Sequence, residues 1–386
     1  MSLQEEWVNQ LKKELKSSEL RTFHSEIEDL RWEFTDNNTP LPSFDFSLKY
    51  HADLTFFSFY KVIDSIESNR EILQDLNQGT QGLILCWDIL PDLHKLFKGV
   101  MFEYIQTRII ISNPKEFLII NHWIDENNPK NFTVEFMGHG TDTVQRIDGF
   151  SMNAIGSNAW QELSFVCQQL VQQLSVLPKN APLVIELGVG ENFMIEAAKI
   201  TAFHWLCEAL LTKHNRMDLN ITLRARLGWR NKSHEELHTN QIRQSSEALC
   251  ALVAGVNQLC IPPYDALFTA NSTALSRRMA VNIGHLLKEE AHLDWFQGLI
   301  KGSHIATCLV HQLCNKVWDA LAWPDAFEDR LKESVEATIA CRIQRINDQS
   351  DRFIGINYLY TKGENRKIKA QQLGAFGLPY LFFETN

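Results

Sequence analysis

The chain has 386 residues, 45% of them hydrophobic, which is enough to bury a large core, and its 37 basic and 47 acidic side chains leave a net charge of −10. No cluster of lysine or arginine is dense enough to track a phosphate backbone, which excludes nucleic acid as a partner class. The eight cysteines (Cys86, Cys167, Cys207, Cys250, Cys260, Cys308, Cys314 and Cys341) lie mostly in apolar runs and form no C-x-x-C pair, a pattern of reduced core thiols in a reducing compartment.

The first thirty residues carry charge throughout and hold no apolar stretch suited to a signal peptide or a membrane span, so the expected location is the cytoplasm. Leu3, Trp7, Leu11 and Leu15 recur at intervals of four between Lys and Glu, which predicts one apolar stripe on a short helix. Its polar face has both signs of charge and suits a groove on a protein partner better than a membrane, with Trp7 and Leu11 as the anchors. Pro40 and Pro42 break the pattern, so residues 1–48 are expected to form an N-terminal arm.

From Leu54 onward, short β-rich runs alternate with helical ones, the signature of parallel strands joined by helical crossovers. The candidate strands are F-F-S-F-Y, G-L-I-L-C-W, R-I-I-I-S, 117–123, 132–137, 144–150, 182–188, 221–226, 258–262 and 354–358. Helices are expected at 66–76, around His94, and at 192–213, 235–254, 273–290 and 302–321. The count favours a TIM-type (β/α)8 barrel, complete or degenerate, over residues 49–361, with 362–386 as a C-terminal extension; a doubly wound sheet is the alternative.

His234-Glu235-Glu236-Leu237-His238 matches H-E-x-x-H, in which two imidazoles one helical turn apart grip zinc. With no third ligand following, and Ser233 able to cap a solvated helix, it reads as a chance match. Gly188-Val189-Gly190 follows an apolar strand as in nucleotide and S-adenosylmethionine folds, but lacks a third glycine and reads as a tight βα turn. Cys308, His311 and Cys314 share a helical spacing of three without a fourth ligand, and the run at 362–369 reads as a solvated face.

Taken in order, further segments resemble one family. The opening E-E-W-V-N-Q-L-K-K-E-L-K, Asn69 to Trp87, Leu96 to Ser112, I-D-G-F-S-M-N-A-I-G from Ile147, L-G-V-G-E-N-F-M-I-E-A-A-K, Leu223 to Ala254, N-Q-L-C-I-P-P-Y-D-A-L, L-S-R-R-M-A-V-N-I and F-I-G-I-N-Y follow the adenosylcobalamin-dependent methylmalonyl-CoA mutases, and the first three follow their small (β) subunits. The resemblance runs over about residues 3–360 and is weak between 112 and 143.

The resemblance implies a radical isomerase scaffold in which the cofactor does the hard step and the protein positions the parts. Ser151 stands where the family keeps a histidine that can donate a proton near the thioester carbonyl, and Phe59 stands where it keeps a tyrosine. Tyr60 is one position off, which on a strand turns it to the other face. The substrate-pocket candidates are Phe59, Phe150, Ser151, Asn153, Asn192 and Arg224; whether the interior takes acyl-CoA or is filled by Phe56, Phe57, Phe59 and Phe150 stays open. No stretch between 100 and 145 matches the family's carboxylate clamp, and no D-x-H-x-x-G cobalamin loop occurs in the sequence.

The expectation is therefore a non-catalytic small-subunit-like chain that stabilises a catalytic partner in a heterodimer, or that self-associates. Adenosylcobalamin would belong to the complex and not to this chain. The alternatives are an active acyl-CoA mutase barrel working with a separate cobalamin-binding subunit and, more distantly, an S-adenosylmethionine or zinc enzyme.

Overall fold

The structure is a computed structural model that describes residues 54–111, 113–136, 144–234, 236–267, 272–300, 302–323, 326–359 and 375–381, with short pieces at 6, 9–10, 12–14, 16, 24–25, 30–31, 366–368 and 383–385. The expected anchors Trp7 and Leu11, the two arm prolines and Glu235 lie outside the described residues.

Eight parallel strands close a barrel in chain order: β1 (Thr55–Lys61), β2 (Gly82–Cys86), β3 (Gln106–Ile111), β4 (Phe132–Phe136), β5 (Val144–Asp148), β6 (Pro182–Val189), β7 (Asn220–Leu227) and β8 (Gln258–Cys260), with β8 pairing back onto β1. This is the expected (β/α)8 architecture. Around it run α1 (Ser65–Leu76), α2 (Leu93–Leu96), α3 (Glu116–Asn127), α4 (Phe150–Ile155), α5 (Ala159–Leu174), α6 (Phe193–Lys213), α7 (Leu237–Ala254), α8 (Ala274–His285), α9 (His304–Leu321) and α10 (Phe327–Asn347). Local chemistry sets several starts: the Asp64 carboxylate accepts from the backbone N–H groups of Ile66 and Glu67, and Asn158 and Gln161 form a reciprocal capping box on α5.

The core has two outer parts and an inner one. On the β5–β8 side, Leu183, Ile185, Leu223 and Leu259 pack under α5, α6, α7 and α9; the smaller β1–β4 side gathers Leu83, Leu85, Ile109 and Val134 with Trp123 and Phe97. Inside the barrel, Phe57, Ile84, Ile110 and Cys260 meet. Among the described residues no helix is long and apolar enough to cross a membrane.

Two expectations need correction, and one question left open is answered for Phe56. Residues 117–123 form part of α3 and not a strand, because β3 and β4 are adjacent and parallel (Thr107 opposite Phe132), so the chain between them must cross over. Residues 354–358 make a turn closed by a bridge from Ile354 to Tyr358; the barrel is complete without them. Phe56 does not fill the barrel: it points outward into the β5–β8 core and packs its ring on Gly284. In addition, α10 is present where no helix was expected. Its buried stripe of Leu331, Val335, Thr338, Arg342 and Ile346 lies toward the rest of the fold.

Candidate functional site

Alternate residues of every strand point to the barrel axis, and on β4 to β8 many of these are charged or polar. Arg224 on β7, with no exposed surface, reaches across to Glu135 on β4 through two bonds of 2.6 and 2.9 Å, to Glu186 on β6 at 3.2 Å, and to Gln258 on β8 at 2.9 and 3.0 Å. Arg146 on β5 holds the other Glu186 oxygen at 2.7 Å and Asp148 at 3.4 Å. Arg108 on β3 binds Thr133 and lies 3.9 Å from Glu135. Phe57 closes the opposite side, its ring 5.6 Å from the Arg224 guanidinium and seated on Gly82, where a Cβ would come within 2.6 Å of it.

Such a lattice is stable only if each charge is met, because an unpaired ion in the interior costs several kcal/mol. Burial alone would raise the Glu186 carboxyl, but Arg146, Arg224 and Arg226 outweigh it and hold it down to about 2. Burial likewise works against Arg146 and Arg224, and their carboxylate partners raise both above the ordinary arginine value.

Above the lattice, at the C-terminal mouth where barrel enzymes place their chemistry, Arg226 is enclosed by aromatic faces. Its guanidinium carbon is 4.0 Å from the Phe59 ring centre, 4.2 Å from that of Phe150 and 4.6 Å from that of Trp229, and its nearest carboxylate is Glu186 at 3.8 Å. Tyr380 stacks edge-on against Trp229 at 5.8 Å, and the backbone N–H of Leu381 donates to Ala154 O at 2.8 Å, so the C-terminal segment covers the mouth. The Asn153 amide, Trp229 Nε1 and Arg226 Nε are buried there without a hydrogen-bond partner among the described residues. The arrangement can hold a small polar species. The two thiols of the inner cluster, Cys86 and Cys260, are both pushed up by burial, Cys260 to about 12, which disfavours their thiolate forms.

The sequence candidates separate into groups. Phe59 and Phe150 meet around Arg226, and Arg224 lies beneath them on the axis. Asn153 packs between Gly188 and Gly228; a Cβ on Gly188 would come within 2.3 Å of it, which is why only glycine fits there. Ser151 is engaged by the local backbone, its hydroxyl donating to Asp148 O at 2.9 Å. Asn192 caps α6 and stands apart from the axis. Tyr60 faces outward and donates to Asp75 at 2.6 Å, as its register requires.

The other motifs resolve structurally. α7 begins at Leu237, so His234 lies outside the helix and does not share a helical turn with His238, whose ring packs against Tyr264. Gly190 lies against Arg230 and Glu196, so the G-x-G turn is filled by the protein's own side chains. Cys308 and Cys314 are buried in α9 and His311 packs on Trp205. Reasoning from sequence missed Glu135, Arg146, Glu186 and Arg226; the available signal was charge at alternating positions inside otherwise apolar strands.

A model of the family described as methylmalonyl-CoA mutase matches residues 133–375, well over half of the chain. This chain belongs to the methylmalonyl-CoA mutase family. Among curated proteins, it is 28% identical over 182 residues to the methylmalonyl-CoA mutase small subunit of Porphyromonas gingivalis (strain ATCC BAA-308 / W83), covering 44% of this chain and 29% of that one. It is 25% identical over 303 residues to the mitochondrial methylmalonyl-CoA mutase of Bos taurus, covering 71% of this chain and 40% of that one. A methylmalonyl-CoA mutase homolog of Alkalihalophilus pseudofirmus (strain ATCC BAA-2126 / JCM 17055 / OF4) is 41% identical over 56 residues, 14% of this chain and 37% of that one. The chain thus spans 29 to 40% of the length of these relatives.

The family is associated with adenosylcobalamin. The described residues of the mouth do not fit that group's needs: Phe59, Phe150 and Trp229 are closed on Arg226, and no imidazole stands among them to meet a cobalt ion.

Proposed function

We propose that this chain is a small-subunit-like, non-catalytic member of the mutase family whose work is to stabilise a catalytic, cobalamin-binding partner chain. The observation that carries this reading is the occupied axis. An acyl-CoA lying along the barrel would have to displace the Arg224–Glu135–Glu186 lattice, whose three side chains are at most 1% exposed. Displacing any one of them strands the others without a counter-charge. Ser151 and Phe59 add to the argument, because neither supplies the imidazole or phenol that the family places beside its substrate. The small-subunit relative in P. gingivalis supports the same reading.

In this reading the interface is large and partly apolar, with Trp7 and Leu11 of the arm as its anchors, and adenosylcobalamin is held by the partner. The test is co-expression with a full-length catalytic mutase chain, followed by size-exclusion chromatography with light scattering. The expected result is a stable one-to-one complex with a catalytic chain that melts at higher temperature than it does alone. A separate assay of this chain with methylmalonyl-CoA, adenosylcobalamin and a cobalamin-binding subunit is expected to give no turnover. Turnover there would overturn the proposal in favour of an active acyl-CoA mutase barrel, and a homodimer indifferent to the catalytic chain would overturn the choice of partner.

A further inference from the structure

A second site lies outside the barrel axis. Between the α6 and α7 starts on one side and the end of α10 with the following turn on the other is a cleft of about 820 Å³, within the range of small-molecule sites. Four carboxylates stand at it, and each is already met. Glu191 pairs with Arg230 at 3.2 Å and Arg342 at 3.6 Å; Glu196 with Lys199 at 2.5 Å; Glu247 with Lys232 at 2.7 Å; Asp351 with Arg345 at 3.0 and 3.1 Å. Arg230 and Arg342 outweigh the effect of burial on Glu191 and hold it down to about 2, so it stays ionised and committed.

Two further arginines line the cleft without a carboxylate partner among the described residues. Arg243 gives one hydrogen bond to Asn240 Oδ1 at 3.0 Å and one to Ile354 O, leaving three of its five N–H groups without a partner among the described residues. Burial lowers its pKa despite the pull of Glu247, Glu191 and Glu236, of which Glu236 lies outside the lining and accepts from Thr239. Arg352 is exposed and stacks on Tyr358 at 5.1 Å, which leaves its N–H edge open. Phe193, Ile242 and Phe353 form apolar walls between these cations.

We propose that this cleft binds an organic phosphate of nucleotide size, its phosphate held by Arg243 and Arg352 and its apolar part lying along the wall formed by Phe193 and Ile242. The planar guanidinium fork matches phosphate oxygens two at a time, and an uncommitted guanidinium in a partly desolvated wall binds such an anion more strongly than one in open water. The site does not depend on the barrel axis being closed or open.

The test is isothermal titration of the full chain with ADP and, separately, with inorganic pyrophosphate, repeated on Arg243→Gln and Arg352→Gln. Saturable ADP binding that weakens about tenfold or more in each variant, and weakens again on raising the salt, supports the proposal. Arg352 is exposed, so its variant keeps the fold even if Arg243→Gln does not, and the melting temperature of each variant without ligand checks this. No saturable binding of either probe, or binding unchanged in Arg352→Gln, overturns the site. Pyrophosphate binding as tightly as ADP overturns the assignment of an apolar part to the ligand.

Discussion

The barrel axis and the cleft beside α6 are built from the same side chains, arginines and glutamates, yet one is closed and the other open. On the axis each guanidinium lies within 4 Å of a carboxylate, Arg224 meeting two and Arg146 three, so the ions balance one another and no cation is left without a counter-charge, although single groups such as Arg226 Nε have no hydrogen-bond partner among the described residues. In the cleft the carboxylates are met by Arg230, Arg342, Arg345, Lys199 and Lys232, and two arginines are left over. The difference shows that binding capacity does not follow from the number of charged residues at a place. It follows from how many of them lack a counter-charge.

The strongest way to break this comparison is to remove the centre of the closed lattice. Arg224→Met leaves Glu135 buried without its main cation and takes from Glu186 the second of its two, after Arg146, and the expected loss is about 3–5 kcal/mol in urea unfolding. Adding Glu135→Gln should recover part of it, because the second change removes the charge that the first one strands. A loss under about 1 kcal/mol would mean that water reaches the axis, and the closed reading would fail.

Acid sharpens the same contrast. Glu186 and Glu191 are both held to about 2 against an ordinary value of 4.5, so the folded state favours their ionised forms. Their stabilisation is complete above about pH 4.5 and is lost as the pH falls from there toward 2. Urea midpoints measured between pH 5 and 2.5 should fall with decreasing pH, and Glu186→Gln should flatten that slope while lowering the plateau. A slope equal to that of the parent chain would show that Glu186 is not the group responsible.

A smaller effect is expected at the mouth. Arg226→Ala takes a cation from three aromatic faces and leaves a gap between Phe59, Phe150 and Trp229. The expected cost is about 1–3 kcal/mol, with a change in tryptophan fluorescence as the surroundings of Trp229 alter.

Much of the fold was legible in the sequence, because buried parallel strands leave short β-branched and aromatic runs bounded by polar turns. Residues 117–123 misled for a definable reason: seven residues with Leu118, Ile119 and Ile120 in succession fit a buried strand as well as a helix, and only the adjacency of β3 and β4 decides between them. α10 escaped because its inward stripe contains Thr338 and Arg342, which dilute the apolar pattern while bonding inward to Gln161 and to Gly156 O. At the candidate site the sequence singled out Phe59, Phe150 and Arg224, which lie together on the axis, but not the charged partners around them. Glu135 and Arg224 are far apart in sequence and become neighbours only when β8 closes onto β1, a long-range event that no local window contains.

The smallest expected effect concerns Phe59 and Ser151, the two positions at which the resemblance leads one to expect a tyrosine and a histidine. Phe59→Tyr combined with Ser151→His restores a phenol and an imidazole, yet no turnover of methylmalonyl-CoA is expected. The Phe59 ring already stacks on Arg226 at 4.0 Å, and a tyrosine ring in its place keeps that contact. The Ser151 hydroxyl is bound to Asp148 O at the start of α4, a bond that an imidazole built there would give up. Beneath both, Arg224 still fills the axis. Stability should change by no more than about 1 kcal/mol, since neither position removes a buried ion's partner. Turnover by this double variant, measured by conversion of methylmalonyl-CoA in the presence of adenosylcobalamin and a cobalamin-binding subunit, would show that two side chains and not the filled axis separate this barrel from an active one.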